Sequence, residues 1–497
     1  MKRRDLLALA CLSSTTMAQS QMPVSPSLPA SASAPPRFSD DDLRHAARLR
    51  DAGLSDTQAW ALLQQLCNDI GPRPAGSAAD AKAVAWAQTA LRGLGLQNVR
   101  AESLPLRVWQ RGPASAVLRV PGIATSMGPD LPPFSNEPLV MAALGNSVPT
   151  PLEGIEAEIA WYPDFAALKA DSPDPAVSRA RGRIVVIDQK MVRARDGSGY
   201  GPAVAARSQG AVEAGRRGAL AVGIRSIGTD RAPIAHTGAM GYDLNVPRIP
   251  AFAMSVPDAE RVAALQAEGR VLRLQLQLQA RSDVQAVTHN VIAEVPGTDL
   301  ADEVVLIGGH LDSWDLGRGA QDDGVGCTIS AAAAAVIQAG GRRPRRTVRV
   351  VLFANEENGF DGARAYSERY KDVTHQLVGE SDFGAGRIYQ LDSRVQEAAL
   401  PLFGEMAQVL APLGVVWRDT RRNTGSPGPD AALLMRRNRW PGVALAQDGT
   451  HYFDIHHTEH DTLDRIDPAT LPQNVACWAV TAWLAAQAPI GFGPAAV

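Results

Sequence analysis

Residues 290–310 read NVIAEVPGTDLADEVVLIGGH, and residues 347–356 read TVRVVLFANE. Both segments contain an uninterrupted apolar run, of the kind found in strands that are buried on both faces of a sheet. Between them lies an Ala-rich segment, residues 324–338, that has the length of a helix. Alternating strands and helices predict an α/β fold, in which a mixed, largely parallel sheet is flanked by helices.

The same pattern extends on both sides of these segments. Toward the C-terminus, strands are predicted at 387–392 and 442–447, and a final helix at 472–487. Toward the N-terminus, residues 40–66 and 79–94 have helical patterning and lead into a strand near residue 98. We therefore assign residues 40–115 and 284–490 to the two parts of one main domain.

Residues 116–283 have a different texture. Short β-like runs at 184–188, 219–224 and 271–279 are separated by Pro and Gly, and a helix is predicted at 202–217. We interpret this segment as a smaller α/β or β-rich domain that is inserted into the main one.

The N-terminus predicts export. Residues 1–20 combine a basic start at Lys2–Arg4 with the short apolar run LLALAC and small residues near Ala18. A twin-arginine signal and a lipoprotein anchored at Cys11 stay open as variants. Residues 21–39 are rich in Pro, Ser and Ala and predict a disordered linker. The expected location is periplasmic or secreted, with no integral membrane segment once the signal is removed.

The bulk composition excludes some partners. A formal net charge of −3 over 497 residues gives no reason to expect nucleic acid or an anionic membrane. The basic run RRPRR at 342–346 is predicted to be a solvated loop between a helix and a strand. Outside the N-terminal segment, Cys67, Cys327 and Cys477 show no metal-type spacing and are predicted to be buried free thiols.

Acids and histidines fall where the predicted strands end. VVLIGG ends in His310, RVVLFAN ends in Glu356 and Glu357, and Asp382 lies in the loop SDFG. In doubly wound sheets, ligands bind at the carboxyl ends of the strands. These side chains are therefore expected to lie close together.

Each motif also has a structural explanation when it stands alone. Asp312 can accept the far ring N–H of His310, as in many metal sites, but also in a histidine that simply packs in a core. One of Asp322 and Asp323 can cap the Ala-rich helix, which leaves the other for a cation.

Glu356 and Glu357 are adjacent at a strand end. Successive side chains of a strand point in opposite directions, so one of the two can bind metal while the other faces a reacting water. The alternative is a solvated strand end.

The histidines supply the strongest single signal. The segment HYFDIHHTEHDT holds His451, His456, His457 and His460 within ten residues, out of nine histidines in the chain. Together with the acids they offer imidazole and carboxylate ligands and no thiolate, which suits Zn²⁺ in a hydrolytic site.

The motifs GGHLDSWDLGRGAQDDG, NEENG, ESDFG and HHTEHDT resemble those of the co-catalytic zinc exopeptidases of the aminopeptidase type. The likeness extends to GPRPAGS, NVIAEVPGTD and segments of the predicted insert. The resemblance implies two Zn²⁺ per chain. It implies five metal ligands, which are His310, Asp322, Glu357, Asp382 and His457.

The resemblance also implies the roles of these residues. His310 and Asp382 belong to one zinc site, Glu357 and His457 to the other, and Asp322 bridges them. Glu356 is the general base, and Asp312 orients His310. Asn355 departs from the family pattern, in which Ala or Thr is more usual. Small peptides or dipeptides are the expected substrates, and the terminus that is recognised stays open, as does a homodimer.

Overall fold

The computed structural model describes residues 35–121, 134–421 and 423–496. The predicted export signal, with Cys11, lies outside the described residues, and so does the predicted linker as far as residue 34. The end of that linker differs from the prediction. Phe38 is buried, and its backbone N–H donates to Oε2 of Glu405 at 2.8 Å. Ser39 then caps the first helix by accepting the N–H of Asp42 at 3.1 Å.

The strands of the described residues are β1 (Gln97–Gln110), β2 (Ala114–Pro121), β3 (Phe134–Pro138), β4 (Met141–Ala143), β5 (Ile155–Tyr162), β6 (Ile184–Ile187), β7 (Ala221–Arg225), β8 (Ala251–Met254), β9 (Arg273–Leu278), β10 (Arg281–Val295), β11 (Leu300–His310), β12 (Arg346–Phe353), β13 (His375–Glu380), β14 (Ile388–Arg394) and β15 (Gly442–Gln447).

The α-helices are α1 (Asp40–Gly53), α2 (Gln58–Gln65), α3 (Ala78–Gly93), α4 (Phe165–Ala170), α5 (Tyr200–Arg216), α6 (Val256–Ala267), α7 (Val325–Ala339), α8 (Asp361–Arg369), α9 (Leu400–Leu410), α10 (Pro429–Asn438) and α11 (Leu471–Gln487). Shorter helical turns lie at Leu66–Ile70, Ala320–Gly324, Glu397–Ala399, Ala411–Leu413, Asp419–Arg421, Tyr452–Asp454, Leu463–Arg465 and Pro468–Thr470.

The first sheet has the strand order β1-β10-β12-β11-β13-β15-β14. Its central strands β12, β11, β13 and β15 are parallel, whereas β1, β10 and β14 pair antiparallel. The prediction of a mixed α/β sheet is confirmed, and its parallel part is confined to the centre. β12 is buried along its whole length, while the edge strand β1 is largely accessible, as expected for a sheet covered at its middle.

Helices cover both faces of this sheet. On β11, Val305 and Ile307 belong to the apolar cluster that contains α7 and α11. Leu306, which points the other way, packs in a second cluster with residues of α8 and α10. The alternation of side chains along each strand thus explains why VVLI is apolar at every position.

The second sheet has the order β3-β2-β9-β5-β6-β7-β8-β4. All its strands lie between Ala114 and Leu278, and apolar clusters occupy both of its faces. This division of strands between two sheets supports our proposal that 116–283 is an inserted domain.

The basic run at 342–346 connects α7 to β12. Arg342 pairs with the buried Asp42 at 2.6 Å, and Arg345 pairs with the exposed Asp299 at 2.8 Å. Arg346 differs from the predicted solvated loop, since it is buried at the start of β12 and contacts Glu303 at 2.6 Å.

The cysteines of the described residues, Cys67, Cys327 and Cys477, are buried and free, which confirms the prediction for them. Within the described ranges we find no helix with the length and apolar character needed to span a bilayer.

Candidate metal centre

The five predicted ligands lie at the carboxyl edge of the first sheet. His310 ends β11, Glu357 follows β12, and Asp382 follows β13. Asp322 lies in the turn before α7, and His457 in the loop after β15. Because β11, β12, β13 and β15 are parallel, the loops that follow them meet at one edge.

Two histidines face one shared carboxylate. Nε2 of His310 lies 3.1 Å from Oδ1 of Asp322 and 3.7 Å from Oδ1 of Asp382. Nε2 of His457 lies 3.1 Å from Oδ2 of Asp322 and 3.1 Å from Oε2 of Glu357. The structure therefore brings all five side chains together, with Asp322 between the two imidazoles.

Three oxygens of this cluster have no hydrogen-bond partner among the described residues, although Oδ2 of Asp322 lies 3.1 Å from Nε2 of His457. Oδ2 of Asp322, Oε1 of Glu357 and Oδ1 of Asp382 are buried and accept no hydrogen bond from the described residues. Buried polar atoms are normally satisfied, so several unpartnered oxygens in one place fit a site that would hold a cation. Imidazole and carboxylate donors without thiolate fit a divalent ion such as Zn²⁺.

The charges of the cluster are consistent with a cation. Burial raises the pKa of Glu357 to about 7, and the carboxylate of Asp322 adds to the effect. Burial lowers the pKa of His457, but Glu357 and Asp322 outweigh it and raise that pKa to about 9. Burial also opposes protonation of His310, yet Asp382 and Asp322 hold its pKa well above the usual value. A divalent ion would stabilise acids that otherwise repel one another.

Asp322 and Asp323 are adjacent in sequence but make different contacts. Oδ2 of Asp323 accepts the backbone N–H of His310 at 3.0 Å, and Oδ1 accepts that of Gly326 at 3.1 Å. Asp323 thus supports the first turn of α7, which leaves Asp322 free to face the histidines. Asp461 holds this turn in place by accepting the N–H groups of Gln321 at 2.6 Å and Asp322 at 3.2 Å.

Two histidines of the HHTEHDT segment reach the cluster. His456 stacks on His457 with ring centroids 3.5 Å apart, and its Nε2 lies 3.5 Å from Oδ2 of Asp322. His457 is nearer and contacts two acids, so the geometry favours it as the ligand. His460 contacts Thr458 through its backbone N–H instead, and the exposed His451 pairs with Asp454 at 3.2 Å.

Asp312 differs from its predicted contact. Nδ1 of His310 lies 3.0 Å from the backbone carbonyl oxygen of Asp312 and 3.8 Å from its carboxylate. The carboxylate instead accepts the backbone N–H of Glu356 at 3.1 Å. The backbone carbonyl of Asp312 is therefore the nearer acceptor for Nδ1 of His310.

Glu356 faces a cavity of about 590 Å³ that also contacts Asp322, Glu357 and Asp382. Burial, with the charges of Asp382 and Glu357, raises the pKa of Glu356 well above its ordinary value, although His310 opposes the shift. The two adjacent glutamates are thus placed differently, since Glu357 contacts His457 and Glu356 is partly exposed to the cavity.

Asn355, the departure from the family pattern, has a local explanation. Its φ is 58°, in the left-handed region that asparagine tolerates better than most residues. Its side-chain amide donates to Oδ2 of Asp361 at 2.5 Å, at the start of α8.

Sequence reasoning missed the residues that the second-sheet region brings to His457 and to this cavity. Thr237 exchanges two hydrogen bonds with His457: its N–H donates to the carbonyl oxygen of His457 at 3.0 Å, and its own carbonyl oxygen lies 3.2 Å from Nδ1 of His457. Tyr200 and Arg207 of α5 line the same cavity. Arg207 lies in a helix with many alanines, and nothing in the surrounding sequence indicates that its side chain lines a cavity.

Known proteins match the chain over most of its length. The model of peptidase family M28 matches residues 290–482. Carboxypeptidase Q of Bos taurus is 34% identical over 436 residues, which cover 87% of this chain and 86% of that protein.

Solved structures agree with this match. A peptidase M28 precursor from Shewanella amazonensis SB2B superposes with a TM-score of 0.85 at 40% identity, covering 92% of this chain and 99% of that chain. BSAP, a zinc aminopeptidase from Bacillus subtilis, covers 85% of this chain and 94% of its own with a TM-score of 0.58 at 17% identity, which supports the fold alone. Similarity of this extent confirms the resemblance that the motifs predict, and the chain belongs to peptidase family M28.

Proposed function

We propose that this chain is a two-zinc exopeptidase that hydrolyses small peptides with a free terminus, dipeptides among them. The observation that carries the proposal is the position of Asp322, whose two oxygens each lie 3.1 Å from the Nε2 atom of a different histidine. A carboxylate shared in this way would suit a pair of divalent cations.

The ligands divide into two sets. We assign His310 and Asp382 to one zinc site, Glu357 and His457 to the other, and Asp322 to both. The orphaned oxygens of the three acids support this assignment. When bound, zinc supplies Lewis acidity toward a carbonyl and makes a neighbouring water more acidic.

Glu356 is the proposed general base. It lines the cavity beside the ligands, and its backbone N–H is held by Asp312. In this position its carboxylate takes a proton from the attacking water and passes it to the leaving amine. The carbonyl oxygen of Asp312, 3.0 Å from Nδ1 of His310, fixes the ring so that Nε2 faces Asp322.

The cavity suits small substrates. Its volume of about 590 Å³ is in the range of sites for small molecules. Residues of both sheet regions line this cavity and limit its extent. A short peptide therefore fits it better than a long polypeptide.

Two other functions use the same kind of site. An aminoacylase-like or cyclase-like enzyme would apply the same metal chemistry to another amide, since fold alone does not fix the substrate. A non-catalytic binding protein would have no use for a base, and the position of Glu356 at the cavity favours an enzyme.

A panel of substrates tests the proposal. Zinc-loaded protein is assayed against dipeptides, their N-acetylated and C-amidated forms, and N-acetyl amino acids. Hydrolysis of free dipeptides supports the exopeptidase, whereas preference for N-acetyl amino acids supports the aminoacylase. Failure of fully metal-loaded protein to hydrolyse any member contradicts both.

Location and assembly stay predictions from the sequence. Export to a periplasm or to the medium predicts a mature N-terminus near Gln19, which N-terminal sequencing of the purified protein checks. Mass measurement in solution decides between a monomer and a homodimer.

A further inference from the structure

Arg207 differs from the other buried arginines of the described residues. Arg73 lies within hydrogen-bond distance of four backbone carbonyl oxygens, at 2.5 to 3.4 Å. The remaining buried arginines pair with acids; they are Arg217, Arg225, Arg346 and Arg349. Arg207 is 8% exposed and forms no ion pair with any acid in the described ranges. Its charge is therefore buried without a matching anion, which is unfavourable unless a ligand supplies one.

Its hydrogen bonds are also incomplete. One terminal nitrogen donates to the hydroxyl oxygen of Tyr200 at 2.6 Å. The other lies 3.5 Å from the carbonyl oxygen of Thr237 and 3.5 Å from Nδ1 of His457, which is at the limit of a hydrogen bond. Nε is buried and has no partner. A guanidinium carries several N–H groups in a flat fork that matches a carboxylate.

The guanidinium lies beside the candidate metal centre. It lines the same cavity as Glu356 and Asp322, close to the backbone of Gly238, where a side chain would collide with it. The ring of His457 separates it from the cluster: Nδ1 faces Arg207, while Nε2 faces Asp322 and Glu357. The guanidinium is thus about the width of one imidazole ring away from the cluster. This separation suits a substrate whose scissile carbonyl lies at the cluster, because only a few bonds join that carbonyl to the carboxylate of the next residue.

We propose that Arg207 binds the free C-terminal carboxylate of the substrate, so that the enzyme releases a C-terminal residue from dipeptides and other short peptides. The inference rests on the proposed function and specifies which terminus is recognised. Tyr200 assists, because its hydroxyl oxygen already accepts from Arg207 and its proton is left to donate to the same carboxylate.

The test compares a dipeptide with its C-terminal amide, which keeps the shape and removes the charge. Zinc-loaded wild-type protein is expected to hydrolyse Ala-Leu with a kcat/KM at least about 10-fold above that of Ala-Leu amide. Arg207→Gln is expected to lower kcat/KM for the acid by about 10-fold to 100-fold, mainly through KM, and to leave the amide within about 3-fold. Arg207→Lys should restore part of the loss.

The matched control is Arg216→Gln. Arg216 lies on the same helix, outside the cavity, and pairs with Glu213 at 2.7 Å. Its acid-to-amide ratio should equal that of the wild type. Bound zinc is measured for every variant, because Arg207 lies beside His457. Tyr200→Phe, which leaves Arg207 in place, should lower kcat/KM for the acid alone by about 3-fold to 10-fold, and it gives a second reading if Arg207→Gln does not fold.

Several outcomes overturn the inference. If wild-type protein hydrolyses the acid and the amide equally well, no carboxylate is recognised. If Arg207→Gln lowers both substrates equally, or loses zinc, Arg207 positions His457 instead. If the wild type hydrolyses no dipeptide at all, the proposed function fails and the inference fails with it, a result distinct from the other two.

Discussion

The two sheet regions contribute to one cavity in different ways. The first sheet presents its groups at the ends of parallel strands, so His310, Glu357 and Asp382 are fixed by the backbone of the sheet itself. The second region reaches the same place with Arg207 of α5 and with the loop that carries Thr237. The chemistry therefore depends on local strand ends, whereas the surroundings of the substrate depend on how two distant parts of the chain meet.

The contact between these regions is polar and specific. Arg111, which follows β1, binds both oxygens of Asp315 at 2.8 and 2.9 Å and also donates to the hydroxyl of Thr237 at 3.0 Å. Thr237 in turn holds His457. Variants of the first sheet should therefore abolish chemistry, and variants of the second region should alter substrate binding and stability.

Removal of metal should have the largest effect. A chelator is expected to abolish hydrolysis, and Zn²⁺, Co²⁺ or Mn²⁺ should restore it, because the proposed reaction depends on the divalent ions that these acids and imidazoles would hold. Elemental analysis of fully loaded protein should give about two ions per chain. Undiminished activity in protein shown to be free of metal would contradict the view that the chemistry depends on the cluster at the ends of the first sheet's strands.

Next in size is the effect of Glu356→Gln. The amide keeps the shape of the side chain but cannot accept a proton, so kcat should fall by roughly 10²–10⁴-fold with KM and bound zinc little changed. Glu357→Gln, the matched variant one residue away, should instead lose zinc and recover partly in excess zinc. The reverse pattern would exchange the two assignments.

A smaller effect is expected from Asp312→Asn. The carbonyl contact to His310 does not depend on the side chain, but the charge beside the backbone N–H of Glu356 is lost. Activity or zinc affinity should fall about 10-fold to 100-fold, and His310→Ala should be worse. Equal and negligible effects of both variants in a zinc titration would mark this pair as structural.

The smallest effect concerns the second region. Asp315→Asn removes the charge that Arg111 binds. The side chain of Arg111 is 11% exposed and that of Asp315 is 32% exposed. The free energy of unfolding should decrease by about 1 kcal/mol, measured by urea denaturation of the loaded protein. Asp283→Asn, which breaks the more exposed pair with Arg281 at 3.3 Å, is the control and should change it less. An equal decrease would show that the contact between the regions stabilises the fold no more than an exposed ion pair does.

The candidate site could be predicted because its signals are local. His310 and Glu357 end apolar runs, and the histidines of 456–460 are dense in sequence. For Asp322 and Asp323 the sequence predicted that one acid caps the helix and the other binds a cation. In the structure Asp323 accepts the N–H of Gly326 in the first turn of α7, next to the N-cap residue Gly324.

The features that the sequence did not predict depend on contacts between residues that are far apart in the chain. The strand HQLVGE, β13, carries Asp382 at its carboxyl end, but it begins with two polar residues and was not predicted. His375 is buried there because it hydrogen-bonds Tyr366 at 2.9 Å and stacks on Trp440. Phe38 is buried by residues near Glu405, far along the chain. Propensity and spacing do not contain such information.

The paired hydrogen bonds between Thr237 and His457 have a consequence for folding kinetics. They join residues that are 220 positions apart, so a long loop must close before they form, at a cost in conformational entropy. A fragment limited to residues 290–482 would contain all five proposed ligands and lack the group that contacts Nδ1 of His457. The proposed ligands thus lie within one segment of the sequence, but the orientation of His457 depends on Thr237, which lies outside that segment.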